Sequence, residues 1–149
     1  MVGIVVVAAA IAVIALYATR SGTTHARDAV VDDFRATERQ CIAAFNAGLR
    51  DQRANAIDEV ELASRIERDV LAPWRAMGAR VAKAPVRDRE LYATLSRYIA
   101  ARQAAWEAFV TALRASSDDA ARPAYDAYHT KNAEADGEAR ALGAMFRRF

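Results

Sequence analysis

Side chains that commonly bind metal ions or attack substrates are scarce in this sequence, which contains two histidines and one cysteine. Asp126 and His129 have the spacing of one ligand pair of a bundle dimetal site, but such a site needs two of these pairs and two further glutamates. Cys41 lies between Thr37 and Phe45 on an apolar stripe, where cysteine usually serves as a small hydrophobic residue. The sequence also lacks phosphate-loop, dinucleotide and zinc-protease motifs. We therefore expect a non-enzymatic protein without catalytic residues, metal ligands or cofactors.

Four positions together are a better candidate for a site, because helical spacing brings them to one level of a bundle. Suppose that the first and third helices begin near residues 25 and 88, and that the second and fourth end near residues 83 and 147. A rise of about 1.5 Å per residue then places all four positions roughly 21 to 24 Å from one end. Because a buried charge needs a partner, we expect Arg102 to pair with Glu67. The predicted polar layer consists of Cys41, Glu67, Arg102 and Asn132.

This predicted polar layer has two interpretations. An isolated polar layer can fix the register of packed helices. It can also bind a small polar ligand, and Phe45, Trp106 and Tyr128 would then line a pocket one turn higher. The first interpretation is favoured, because polar layers are a common consequence of bundle packing.

The elements that carry these residues are amphipathic helices. Alanine supplies 37 of the 149 residues, a composition that favours helix over sheet. Short connections between long helices require antiparallel neighbours, so the sequence predicts an all-α, up-down-up-down antiparallel four-helix bundle over residues 25–149. The predicted buried stripes are Val30, Phe34, Thr37, Cys41, Phe45 and Leu49; Ala63, Ile66, Val70, Trp74, Met77 and Val81; Leu91, Leu95, Ile99, Arg102, Trp106, Phe109 and Leu113; and Tyr125, Tyr128, Asn132, Ala135, Ala139, Leu142, Phe146 and Phe149.

The second helix has a clear start and one irregularity. Asp58 and Glu61 have the spacing of a capping box, and Ile57 and Leu62 stand at the flanking hydrophobic positions. Pro73 lies within the stripe and lacks an N–H group, so we expect the helix to kink near residue 71 without ending there.

The N-terminal segment is apolar and uncharged from Met1 to Ala18. Eighteen helical residues span roughly 27 Å, which is enough for one crossing of a thin bilayer. The segment predicts a transmembrane anchor at residues 1–20, followed by a linker at 21–24. A cleaved signal peptide with Val13, Ile14 and Ala15 as its cleavage site is the alternative, but no basic residue precedes the apolar run.

Two surfaces are candidates for contact with the membrane or its proteins. Ala8, Ala12 and Ala15 would share one face of the anchor and let another transmembrane helix approach closely. Arg147, Arg148 and Phe149 would contact the membrane surface if the last helix returns to the anchor's end. The nearest basic residues lie on the C-terminal side of the apolar run, but such charges orient large domains weakly, so both the periplasmic and the cytoplasmic sides remain open for the bundle.

The charge balance supplies a further exclusion. Twenty-one basic and 19 acidic residues are spread along the chain, so no electrostatic footprint for nucleic acid is present. Taken together, the sequence predicts a non-catalytic, single-pass accessory or scaffolding subunit of a larger membrane complex, such as a bioenergetic, photosynthetic, transport or envelope assembly. Its expected partners are membrane lipid and other membrane-protein subunits. The alternative is a helical-bundle sensor that binds a small-molecule ligand.

Overall fold

The computed structural model describes residues 28–85 and 88–147. The α2 helix, a π-helical turn and α3 form one continuous segment, so the described residues make four long helical segments. The predicted all-α fold is confirmed. The elements are α1 (Ala29–Arg53), α2 (Glu59–Ile66), the π turn (Glu67–Leu71), α3 (Ala72–Lys83), α4 (Arg89–Leu113) and α5 (Asp118–Phe146).

Each long segment begins at a side chain that satisfies an otherwise unpaired backbone N–H group. Asp58 accepts a hydrogen bond of 2.8 Å from the backbone N–H of Glu61, as the capping pattern predicts. Asp28 and Asp88 do the same for α1 and α4, and Ser117 does so for α5. The segment boundaries therefore follow from local sequence.

Ion pairs between the segments show that chain neighbours run antiparallel. Residues near the start of α1 pair with residues near the end of α3, and the end of α1 pairs with the start of α2. The same reversed order relates the second segment to α4, and α4 to α5. These pairs are Arg80 with Asp33, Arg65 with Asp51, Arg75 with Glu107, Arg114 with Glu67, Arg97 with Glu138, and Arg102 with Asp136.

The helices are not equally spaced. The α4 and α5 backbones pack most closely, and both helices bury alanines, such as Ala105 and Ala135, where small side chains permit a near approach. Among the described residues, no Cα atom of α1 lies within 8 Å of one in α4 or α5. Long side chains fill that distance: the Arg35 guanidinium lies 4.1 Å from the ring centroid of Phe146, and Phe34 meets Tyr98 at 5.9 Å.

The predicted irregularity before Pro73 takes the form of the π turn. The N–H group of Ala72 bonds to the carbonyl of Glu67, five residues back, and Pro73 has no N–H group to continue the α-helical pattern. The Cys41 thiol donates to the carbonyl of Val70 within this turn at 3.5 Å. The segment continues to Lys83, so the prediction that Pro73 does not end it is confirmed.

The core contains the predicted stripes with local differences. Every predicted position of the second and third stripes is buried. In α1, Phe34, Cys41 and Phe45 are buried as predicted. The other three buried positions are Val31, Glu38 and Gly48, each one residue away from the predicted Val30, Thr37 and Leu49. In α5, Tyr125, Asn132 and Phe146 are only partly buried.

The predicted membrane segment lies outside the described residues, and so do the linker at 21–24 and the anchor positions Ala8, Ala12 and Ala15. No helix within residues 28–85 and 88–147 is both long enough and apolar enough to cross a bilayer. Arg147 caps the end of α5 and is exposed, whereas Arg148 and Phe149 also lie outside the description.

Candidate functional site

The most unusual feature of the core is a buried arginine. Arg102 is 4% exposed and lies on the apolar stripe of α4, as the sequence predicts. Its Nη1 donates to Oδ1 of Asn132, and its Nη2 donates to Oδ1 of Asp136 at 2.9 Å. The guanidinium carbon lies 5.5 Å from the ring centroid of Tyr98. A charge in the interior must be paired and hydrogen-bonded. Asn132 and Asp136 of α5 are the partners that allow Arg102 to be buried.

A second buried charged residue lies beside the arginine. Glu38 is 3% exposed on α1, and the hydroxyl of Tyr98 donates a hydrogen bond to its Oε1. Tyr98 belongs to α4, so this bond crosses the wide space between α4 and α1. We call Glu38, Tyr98, Arg102, Asn132 and Asp136 the buried polar cluster.

The buried polar cluster reaches the surface on its α5 side. The Asp136 side chain is 50% exposed, whereas that of Arg102 is 4% exposed. Water can therefore solvate one end of the ion pair but not the other. The Nε atom of Arg102 is buried without a hydrogen-bond partner.

Burial dominates the electrostatics of the cluster. It raises the pKa of Glu38 above its ordinary value, although the Tyr98 hydrogen bond and the nearby Arg102 act in the opposite direction. It also raises the pKa of Tyr98, with Glu38 adding to the effect. Burial, followed by the negative charge of Glu38, raises the pKa of the Cys41 thiol to about 11. The thiol is therefore protonated at neutral pH, which suits packing rather than nucleophilic attack.

The predicted pairing of Arg102 with Glu67 is wrong. Glu67 is half-exposed and accepts two hydrogen bonds from Arg114, at 2.8 and 2.6 Å. That contact places Glu67 level with a residue twelve positions, or about 18 Å, further along α4 than Arg102. The sequence estimate assumed that all helices start level and rise straight. In addition, Ile66 occupies the inward position next to Glu67, which leaves the glutamate facing outward.

The other predicted members of the polar layer are near the cluster to different degrees. Asn132 contacts Arg102 directly and is partly buried. Cys41 is fully buried one turn from Glu38, but its thiol bonds to the backbone of the π turn instead. The structure thus unites two of the four predicted residues and replaces Glu67 with Asp136.

Sequence reasoning missed Glu38, Tyr98 and Asp136, although a signal for each was present. Glu38 fits the spacing from Phe34 to Cys41 as well as Thr37 does, but an acidic residue is normally placed outside. Tyr98 precedes Arg102 by four residues, and Asp136 follows Asn132 by four. One helical turn therefore relates each missed residue of α4 and α5 to one that was found.

The predicted pocket lining forms a continuous aromatic core. Phe45 meets Trp106 at a centroid distance of 6.0 Å and Phe109 at 5.5 Å, and Tyr128 meets Phe109 at 5.1 Å. Trp106 also contacts Trp74 at 5.2 Å, whose indole N–H bonds to the carbonyl of Ile99 at 3.0 Å. At the level above the buried polar cluster, these rings therefore pack against one another.

A surface groove lies beside Glu67, away from the cluster. It has a volume of about 600 Å³ and lies between the π turn, the end of α4 and the start of α5. Leu71 and Val110 form its apolar part, between the Arg75 and Glu107 pair at one end and the Glu67 and Arg114 pair at the other. Within the described residues, no group of three or more histidine, cysteine or acidic side chains could hold a metal ion.

Fold and site together define an antiparallel helical bundle with a buried ionic cluster that joins three helices. No protein-family model, curated protein or solved structure matches the chain.

Proposed function

We propose that this protein is a non-catalytic, single-pass accessory or scaffolding subunit of a larger membrane complex. The observation that carries the proposal is the uncharged, apolar run of residues 1–18, which ten residues separate from the start of α1 at Ala29. A transmembrane helix at this place would hold the bundle at the bilayer surface. Lipid and neighbouring membrane subunits would be its partners.

The way in which the bundle holds the start of α1 supports a structural role. The hydroxyl of Tyr92 donates to Asp28 at 2.8 Å, and Arg80 pairs with Asp33 at 2.7 Å. The first turns of α1 are thereby tied to α4 and α3. An anchor that precedes α1 would thus be joined to a well-packed bundle. A scaffolding subunit needs such a connection to hold its partners at a fixed place relative to the membrane.

Membrane attachment is tested by fractionation of cells that express the full chain. We expect the protein in the membrane fraction after alkaline carbonate extraction. Ala9→Arg should release it, because an arginine near the middle of a membrane helix costs about 2.5 to 3.5 kcal/mol on insertion scales. Ala56→Arg makes the same change in an exposed loop and should leave the protein in the membrane. Recovery of the parent chain in the soluble fraction would contradict the anchor.

The accessory role requires a partner, which purification in mild detergent would detect. The double variant Ala8→Leu, Ala12→Leu keeps the segment apolar but blocks close approach on one helical face. We expect it to lose co-purifying membrane proteins while the bundle remains folded. Ala10→Leu is the matched control, because residue 10 would lie on the opposite face if the segment is a helix. A parent protein that purifies alone would count against the accessory role.

A ligand-binding sensor is the second candidate, and one observation favours it. The buried polar cluster meets solvent at Asp136, so a small anionic ligand that takes the place of the Asp136 carboxylate could bind the Arg102 guanidinium from that side. A thermal-shift screen of small anions and zwitterions would test this function. A compound that raises the melting temperature of the parent, but not of Arg102→Lys, would replace the accessory role with a sensor.

A further inference from the structure

The surface groove beside Glu67 lies apart from the buried polar cluster. It is bounded by two ion pairs that each join the second segment to α4, with Arg75 and Glu107 at one end and Glu67 and Arg114 at the other. We call it the two-pair groove. Its volume of about 600 Å³ lies within the range of small-molecule pockets. The chemistry of its two ends indicates the kind of ligand that it would take.

The Glu107 end offers a hydrogen-bond acceptor. Arg75 donates to Oε1 of Glu107 from Nε at 3.3 Å and from Nη2 at 2.6 Å, and Gln103 donates to the same oxygen from Nε2 at 3.0 Å. Among the described residues, none donates to Oε2 of this carboxylate. A cationic group in the groove could therefore bond to Glu107 while all three existing bonds remain.

The Arg114 end offers hydrogen-bond donors. The Nη1 and Nη2 atoms of Arg114 donate to the two oxygens of Glu67 at 2.8 and 2.6 Å, so the Nε–H group takes no part in this pair. Ser116 lines the same end and adds a hydroxyl group. A guanidinium with an N–H group outside its ion pair, next to a hydroxyl, suits a carboxylate.

An apolar stretch separates the two ends. Glu107 and Arg114 are seven residues apart on α4, which corresponds to roughly 10 Å along the helix axis. Val110 lies between them on α4, and Leu71 lies on the opposite wall of the groove. A ligand that reaches both ends therefore needs its two charges about 10 Å apart on an apolar body.

We propose that the two-pair groove binds a small dipolar molecule, with an ammonium group at Glu107, a carboxylate at Arg114 and an apolar chain between them. Both ion pairs stay intact when this ligand binds, so no existing bond is lost. The groove also borders the π turn, of which Glu67 and Leu71 are the first and last residues, and π turns within α-helices occur frequently at functional sites. The site goes beyond the accessory role, because it needs only the bundle.

The probe is ω-aminooctanoate, whose two charged groups lie about 10 Å apart when its chain is extended. Calorimetric titration of the full-length protein in mild detergent measures its binding, after subtraction of a titration into detergent alone. We expect saturable binding. Octanoate and octylamine each lack one charge, and ω-aminobutanoate is about half as long, so each should bind at least about fivefold more weakly. The proposal fails if ω-aminooctanoate does not bind saturably, or if octanoate or octylamine binds as tightly.

Substitutions show whether the bound probe occupies the groove. Glu107→Gln and Arg114→Gln each remove one charge at an end, and both should weaken the binding of ω-aminooctanoate by about fivefold or more. Glu138→Gln and Arg97→Gln are the matched controls, because they remove the same charges from another surface pair, and they should retain the parent affinity. Equal affinities of the four variants would place the probe elsewhere and overturn the proposal.

A second copy of the chain is the other occupant that these charges would suit, because each end of the groove carries both signs. Sedimentation velocity without the probe tests it. We expect Arg114→Gln to leave the sedimentation coefficient of the parent unchanged. A parent dimer that Arg114→Gln dissociates would show that a second copy covers the groove, and it would overturn the ligand site.

Discussion

Arg102 and Asp136 form an ion pair whose two ends lie in different environments, with Nη2 and Oδ1 2.9 Å apart and side chains 4% and 50% exposed. The exposed carboxylate could be solvated without the arginine, but the buried guanidinium has no access to water. The energetic value of the pair therefore lies mainly in the compensation of Arg102.

We predict that Asp136→Asn destabilises the bundle by about 1 to 3 kcal/mol, because it retains an acceptor oxygen but leaves the buried charge uncompensated. Glu138→Gln is the matched control on the same helix. It breaks a pair with the exposed Arg97 and should change stability by less than about 1 kcal/mol. Urea denaturation of the three proteins measures the difference. Equal effects of the two substitutions would show that the burial of Arg102 is not what makes its partner important.

We also predict that Glu67→Gln is nearly silent. Both Glu67 and Arg114 are more than 40% exposed, so their ion pair is screened by water and should contribute less than about 1 kcal/mol despite its two hydrogen bonds. The urea midpoint of Glu67→Gln should therefore stay close to that of the parent. A loss as large as that of Asp136→Asn would contradict the assignment of Glu67 to the surface.

Local signals allowed most of the fold to be predicted, whereas the site depended on distant ones. The cap at Asp58 and the stripes of the second and third segments follow from spacing within one helix. Glu38 does not, because its partner Tyr98 lies 60 residues away and the spacing within α1 fits Glu38 and Thr37 equally well as the inward position. The sequence predicts Glu67 as the partner of Arg102, whereas the structure has Asp136, and this difference has the same origin. Spacing fixes the side of a helix on which a residue lies, but the relative heights of two helices depend on their packing.

Asn55 provides a test of the turn between α1 and α2. Among the described residues it is the one non-glycine residue with a positive φ, at 56°. Asparagine tolerates this left-handed conformation, and alanine pays a steric cost of about 1 kcal/mol. We expect Asn55→Gly to leave the stability of the bundle nearly unchanged and Asn55→Ala to lower it by about 1 kcal/mol in thermal or urea denaturation. A neutral alanine variant would mean that the turn can adopt another conformation.

Two glycines inside helices should respond differently to the same substitution. At Gly137 an added methyl group would lie 4.0 Å from Arg140, in ordinary contact, so alanine should stabilise α5 by about 0.5 to 1 kcal/mol. At Gly48 the methyl group would lie 2.8 Å from Cδ1 of the buried Leu62. We expect Gly48→Ala to be less stable than Gly137→Ala by about 1 to 3 kcal/mol, because the core must shift to admit the methyl group. Equal melting temperatures for the two variants would contradict the close packing of α1 against α2.

The pH dependence of the stability of the bundle should reflect the burial of Glu38. Burial raises the pKa of Glu38 in the folded protein above its ordinary value of 4.5, so the folded state holds this proton more tightly than the unfolded chain does. The resulting stabilisation is fully present below the ordinary pKa and is lost as pH rises through the folded pKa. The free energy of unfolding of the parent, measured in urea and taken relative to Glu38→Gln, should therefore decrease from about pH 4.5 upward and then level off. A relative stability that instead increases with pH over this range would mean that Arg102 and Tyr98 stabilise the carboxylate more than burial disfavours it.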